Sequence, residues 1–385
     1  MRLAASPAGG GGFRRAVVLA GAGLVALAVP GVVARAKTAP AIAHPPSAAL
    51  TARDVSLDIS PAARVLGLWA RGDRRPAAAR RVASSVAYRT LQQHLAGPPG
   101  CPTSRRELER ALANPDSGVC GFGLHPAWEA RASLDSLVRA IDSDRAGIAA
   151  RLAARAGAYL PRVHVRPIRY WFLLASQFTF DAITLDASTD GGTRPVVIVN
   201  LSDVLLYAGD TTGRIAALEH VLAHEAFHAV LHQIRTTAPG WTRYRSNDPT
   251  AEAHIAEVML DEGVAHYVDW QDRPGADTLF AARPGGRERF AFSQLALACR
   301  RLRETSAGSP QWWETLQLAS SGPLWSKYGA VSGMFAAFRI ERAAGRDSLI
   351  WAVRAGPPAF LRLYSEAAAA DTLLARLPAE LAKFE

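Results

Sequence analysis

The sequence predicts an α+β fold that is mostly helical, with a small sheet just ahead of the helix that carries its chemistry. Three observations point there. Apolar residues recur at three and four spacing over most of the 385 residues, the mark of amphipathic helices. One interval, 163–202, turns instead to β-branched and aromatic residues around a turn-forming segment. Directly after it, "EHVLAHEAFHAVLH" sets His220, His224, His228 and His232 four residues apart, so one helix would hold four of the chain's ten histidines.

The composition, 49% apolar and 20% charged, is that of a packed globular protein. The formal charge is +10. Four of those positives, Arg2, Arg14, Arg15 and Arg35, lie in the first 36 residues, where no acid occurs, so the remainder carries about +6. The basic residues are scattered, with only Lys37, Lys327 and Lys383 as lysines. A dense basic stripe interleaved with aromatics is missing, so nucleic acid is not an expected partner.

In chain order, residues 1–36 read as an export signal. Arg14 and Arg15 precede the apolar run "AVVLAGAGLVALAVPGVVA", and Ala34 and Ala36 supply small residues for cleavage after Ala36. The expected location is therefore exported, periplasmic or secreted. An uncleaved run of this length would instead be an N-terminal membrane anchor, the one expected membrane contact. Residues 37–59 read as a Pro/Ala-rich linker and N-terminal extension. Residues 60–160 read as a helical N-terminal region, built from "SPAARVLGLWARG", "AAARRVASSVAYRTLQQHLAG" and "LDSLVRAIDSDRAGIAARLAARAGAYL". Cys101 and Cys120 could close a short loop in an oxidising compartment, leaving Cys299 as a small buried residue.

Residues 161–385 are expected to form the domain that holds the chemistry. Its strands are "VHVRPIRYWFLLA", "FTFDAITLDA" and "RPVVIVNLSDVLL", with "DASTDGGTRP" as the turn between the last two. Helices are expected at about 213–236, 249–271, 290–306, 310–319, 325–344 and, in pieces, 346–380.

Helical residues four apart lie only about 40° apart around the axis, so spacing alone does not choose a metal-binding pair from the ladder. Chemistry does. Only His224 and His228 have an acid directly after the first member, giving the HExxH pattern His224-Glu225-Ala226-Phe227-His228. In that pattern two imidazoles bind Zn²⁺ and the glutamate acts as general base. The surrounding segment is apolar nearly all round, as a buried central helix would be, and buried histidines need a metal or partners. Over the whole ladder the drift is roughly 120°, so His220 and His232 should flank the metal direction.

A zinc hydrolysis site needs a third protein ligand. Position 234, where a third histidine would mark a metzincin, is Ile234. The favoured candidate is Glu262, 34 residues after His228 in "EVMLDEGVAHYVDW". The rival is Glu257, followed four residues later by Asp261. The two glutamates differ by about 140° around a helix, so one alone can face the metal. Gly263 and Ala265 favour Glu262, because small residues allow the close helix approach a ligand needs.

The segment "LDEGVAHYV" resembles the third-ligand segment of gluzincin metallopeptidases, notably the aminopeptidase N superfamily, in which L-(N/D)-E-G-x-A-x-Y follows HExxH. The resemblance covers two motifs and their order and not the whole chain. It implies a zincin-like domain in which His224, His228 and Glu262 bind zinc and Glu225 is the base. The layout also resembles less characterised bacterial families described as zinc-dependent peptidases. The gap before the third ligand is longer than in the aminopeptidases, and their GxMEN segment is missing, so aminopeptidase specificity does not carry over.

An electrophile for the tetrahedral intermediate is also required. Tyr328, in "KYGAVSG" 66 residues after Glu262, stands roughly where the aminopeptidase superfamily has its oxyanion-stabilising tyrosine; a packed aromatic is the alternative. His266, one turn after Glu262, is a second candidate, and otherwise a half-buried helix histidine. His254 is a third donor candidate, and Tyr267 reads as core. The expected function is hydrolysis of a peptide or protein substrate by a zinc-activated water, with "RPVVIVNL" as the strand edge along which the substrate would pair. Two alternatives stand beside it: a zinc-binding protein without catalysis, and a zinc hydrolase of non-peptide substrates.

Overall fold

The structure is a computed structural model, and it describes residues 50–97, 102–163, 165–177, 180–189, 192–241 and 250–383. The expected export signal therefore lies outside the described residues, as does most of the linker. Among the described residues no helix is long and apolar enough to cross a membrane. Cys120 is disulfide-bonded and Cys299 is free and buried. Cys101, the expected partner of Cys120, lies outside the described residues.

The fold is α+β with a helical majority and one four-stranded sheet, in the order β1-β2-β4-β3. The strands are β1 (Val55–Asp58), β2 (Ile168–Leu173), β3 (Ala182–Thr189) and β4 (Gly192–Asn200). β1 runs parallel to β2, with Val55 opposite Ile168, and β2 runs parallel to β4, with Arg169 opposite Val196. β3 returns antiparallel to β4, with Ile183 opposite Ile198. Val196 to Asn200 are all buried, as expected of a central strand covered on both faces.

Two expectations change here. β1 falls in the stretch read as extension and linker, and it was not expected as a strand. Its pairing with β2 joins the region before residue 60 to the region after 160, and residues 47–385 form one compact unit. The sheet edge that faces the metal helix is β3, whereas β4, which carries "RPVVIVNL", lies between β2 and β3.

Among the described residues seven helices make the connection from β1 to β2: α1 (Ser60–Ala70), α2 (Pro76–Ala83), α3 (Val86–Leu95), α4 (Arg105–Ala113), α5 (His125–Glu129), α6 (Arg131–Ser143) and α7 (Arg145–Gly157). Where longer helices were expected, polar residues interrupt them. Ser85 caps α3 by accepting from the Tyr88 amide, and Asp144 separates α6 from α7. α4 falls inside the expected disulfide loop and starts with a capping box between Ser104 and Glu107.

After β4 the chain turns at Asn200, a fully buried side chain that accepts from the Ala175 and Ser202 amides and donates to the Ser176 and Phe180 carbonyls. Asn200 thereby ends the strand, caps α8 (Leu201–Val204) and ties down the approach to β3. The long α9 (Thr211–Arg235), capped by Asp210, and α10 (Ala251–Trp270), capped by Thr250, follow. The remainder is α11 (Ala276–Leu279), α12 (Gly286–Glu304), α13 (Pro310–Gln317), α14 (Tyr328–Ala344), α15 (Arg346–Ala355), α16 (Pro357–Ala370) and α17 (Ala379–Ala382).

α10 sits between α9 and α14, and its contact with α14 is unusually close. A Cβ on Gly263 would lie 2.5 Å from the Gly333 backbone, and one on Gly333 would lie 1.9 Å from the Met259 carbonyl oxygen. Only glycine at both positions lets the helix backbones approach this far. The sheet is fixed to α9 by Tyr170 of β2, whose buried hydroxyl donates to the Leu222 carbonyl at 3.0 Å.

Candidate metal centre

α9 and α10 bring the two halves of the motif together. The Nε2 atoms of His224 and His228 lie 3.0 Å apart. The Glu262 carboxylate stands 3.8 Å from the first and 3.7 Å from the second. Bonds of about 2.0–2.2 Å in a tetrahedral zinc site place donor atoms about 3.3–3.5 Å from one another, so these separations bracket the required spacing. All three donors lie within 4.8 Å of one another and line a cleft of about 420 Å³.

The surroundings of His228 favour a cation. His228 Nδ1 is 2.6 Å from Asp261 Oδ1, which leaves Nε2 facing the other two ligands. Burial opposes charge on His228, but Asp261 and Glu262 outweigh it and hold the imidazolium pKa up to about 10. The site is thus arranged to hold positive charge, and a metal ion would take the place of that proton. Burial, then His266 and His228, push His224 well below its ordinary range, while a hydrogen bond to the Ala265 backbone orients its ring. The donor set and its partners fit zinc.

Glu225 lies in the same cleft, 7% exposed. Burial raises its carboxyl to about 7, opposed by His228 and by the Thr184 hydroxyl, which donates to Oε2 at 2.7 Å. Thr184 belongs to β3, so the sheet edge holds the general-base candidate in place. It was missed in the sequence because nothing local connects a threonine at 184 to a glutamate at 225.

Asp261 was expected only as a companion of Glu257, and its role follows from the fold. It braces His228, while Glu257 is turned away and ion-paired to Arg235. Glu262 is therefore the glutamate that joins the histidines. His266 is 8% exposed, and neither of its ring nitrogens has a hydrogen-bond partner. Its Nε2 lies 3.7 Å from Glu262, and its ring centre lies 4.5 Å from that of His224. His224, His266 and Asp269 also form a group of metal-ligand spacing, but the Asp269 carboxylate is already paired with Arg273.

Tyr328 is not brought to the cleft. Its buried hydroxyl donates to the Thr315 carbonyl at 3.0 Å, which anchors the start of α14, and the neighbouring Lys327 lines the cleft instead. That placement replaces the expected oxyanion role with a structural one. Tyr267 packs edge-on against Tyr159 and Phe280, and His254 does not line the cleft. The outer histidines of the ladder have separate partners. His220 Nδ1 is 2.7 Å from the Asp269 carbonyl oxygen, and His232, half exposed, is 3.4 Å from Asp186 of β3.

No curated protein and no solved structure matches the chain. Its residues 121–372, more than half of its length and the part that includes β2 to β4, α9, α10 and the whole ligand set, match the family described as "Putative zinc dependent peptidase (DUF5700)", and the chain belongs to that family.

Proposed function

We propose that the chain is an exported zinc metallopeptidase that hydrolyses peptide bonds with Glu225 as general base. The observation that carries this reading is the convergence of His224, His228 and Glu262 within 4.8 Å, beside a buried Glu225 in the same cleft. Membership of a family described as zinc-dependent peptidases supports the reaction class. Export rests on the twin basic residues, apolar run and small residues of the first 36 positions.

Zinc held by His224, His228 and Glu262 would supply Lewis acidity, polarising a scissile carbonyl and easing deprotonation of a water. The remaining chemistry falls to the chain. Glu225, with its carboxyl near 7, can take a proton from the attacking water and hand it to the departing amine at neutral pH. Thr184 fixes one of its oxygens so that proton transfer has a set direction. Asp261 keeps His228 in the tautomer that turns Nε2 inward. Ala182, Ile183 and Thr184 run along the cleft on the edge strand β3, where an extended peptide would find unpaired backbone groups.

The test uses protein purified after export. One zinc per chain, cleavage of a broad peptide library, and loss of cleavage with retained zinc in Glu225→Gln are expected. A chain that binds no zinc, or a Glu225→Gln variant with full activity, would sink the reading. Stoichiometric zinc with no cleavage by the wild type would make it a zinc-binding protein instead. Sequencing of the exported chain is expected to begin at Lys37.

A further inference from the structure

The cleft holds a charge that neither metal binding nor proton transfer uses. Lys327 lines it together with Glu225, Glu262 and His266, and it is one of only three lysines among 44 basic residues. The arginine of the cleft, Arg235, pairs with Glu257 and stands 3.5 Å from Asp261. Among the described residues the Lys327 ammonium has no hydrogen-bond or ion-pair partner. Lys327 is a partly buried residue that brings an unpaired positive charge into the cleft, so an anion is its natural complement.

Its position is held firmly. Lys327 is the N-terminal boundary of α14, where Tyr328 is pinned to Thr315 and the Gly329 and Ala330 amides both donate to the Ala319 carbonyl. Those backbone donors are engaged, so the group that this end of the helix offers to the cleft is the lysine side chain. Beside it lies His266, buried and with both ring nitrogens unpartnered.

Resting on the peptidase reading, we propose that Lys327, with His266 beside it, binds a carboxylate of the substrate and makes the site selective for acidic or C-terminal residues. The carboxylate belongs either to the free C-terminus of a peptide or to an Asp or Glu side chain next to the scissile bond. A compact ammonium on a flexible stem suits a carboxylate that enters and leaves, whereas the planar fork of arginine, used nearly everywhere else in this chain, suits fixed pairs such as that of Arg151 with Glu219.

The experiment compares three acetylated peptides of one sequence: a free acid, its C-terminal amide, and the amide with one internal glutamate. Binding is measured by calorimetry on zinc-loaded full-length protein carrying Glu225→Gln, so it does not depend on turnover. Either carboxylate-bearing peptide is expected to bind about tenfold tighter than the plain amide, and the one that does identifies the source. Lys327→Met should remove the preference with zinc stoichiometry unchanged, and Lys327→Arg should restore part of it. In the active enzyme the same preference should appear in KM rather than kcat. Equal binding of all three peptides, binding of none, or a Lys327→Met loss shared equally by the plain amide overturns the proposal. Failure of the peptidase reading shows separately, as zinc-loaded wild type that prefers carboxylates and cleaves nothing.

Discussion

Asp261 Oδ1 lies 2.6 Å from His228 Nδ1, and that single contact sets which nitrogen of His228 faces His224 and Glu262. Removing the carboxylate frees the ring to rotate and weakens its basicity. Asp261→Ala is expected to lower zinc affinity about 10–100-fold while leaving the fold intact. Competition against a chelator of known affinity measures it. An unchanged affinity would mean that His228 is oriented by packing alone.

The Thr184 hydroxyl is among the groups that lower the Glu225 pKa, against the burial that raises it to about 7. Thr184→Val removes that donor, so the pKa rises and less carboxylate is present at a given pH. The acidic limb of kcat/KM should move up by about one pH unit, so activity falls more at pH 6 than at pH 8. A bound cation lowers both wild-type and variant limbs, leaving the direction of the difference unchanged. A loss that is the same at every pH would contradict the role given to Thr184.

Glu257 and Glu262 separate in two assays. Glu262→Gln should weaken zinc binding, and Glu257→Gln should leave the stoichiometry at one. Burial pushes the Glu257 carboxyl from its ordinary 4.5 to about 7, with Arg235 opposing. A folded-state pKa above the unfolded one means that the folded chain holds the proton longer. The stability this group contributes is full below about 4.5 and is lost as pH rises to about 7. Denaturant midpoints of metal-free Glu257→Gln should therefore fall less across that window than those of the wild type.

The glycine contact between α10 and α14 has no slack. Gly333→Ala would place a Cβ 1.9 Å from the Met259 carbonyl oxygen. Overpacking of this kind costs about 1–3 kcal/mol or more, and because α10 carries Glu262, zinc affinity should fall with it. Gly209→Ala, where a Cβ meets nothing within 4 Å, serves as the neutral control. Thermal unfolding with and without zinc reads both effects.

Tyr328→Phe distinguishes an anchor from an electrophile. Loss of the hydrogen bond to Thr315 should cost about 1 kcal/mol of stability and leave kcat within about twofold. A drop in kcat of a hundredfold would return Tyr328 to the oxyanion role that the sequence suggested.

What could be read in advance follows the range of the interactions involved. His224, Glu225 and His228 share two turns of one helix, so their convergence is a local matter of periodicity. Glu262 could be nominated because the small residues after it signal a close helix contact, which Gly263 makes with Gly333. Thr184, Asp261 and Lys327 act across elements, and no spacing in the chain encodes which strand or helix end will face α9. Lys327 and Tyr328 make the point most sharply: the turn Leu324–Ser326 ends just before Lys327 and the helix starts at Tyr328, so of two adjacent residues one lines the cleft and the other bonds Thr315. β1 escaped notice because four residues are too few for a pattern, and its partner lies more than a hundred positions away.

β1 also bears on how pieces of this protein behave. The family match starts at residue 121, yet the strand that covers one side of β2 is Val55–Asp58. A fragment trimmed to the matched region would keep every metal ligand but leave β2, with its run of large apolar residues, bare along one hydrogen-bonding edge. Such an edge recruits other chains. The fragment should therefore self-associate in proportion to its concentration, and insolubility of the shortened protein would report on a missing neighbour rather than on a defective metal centre.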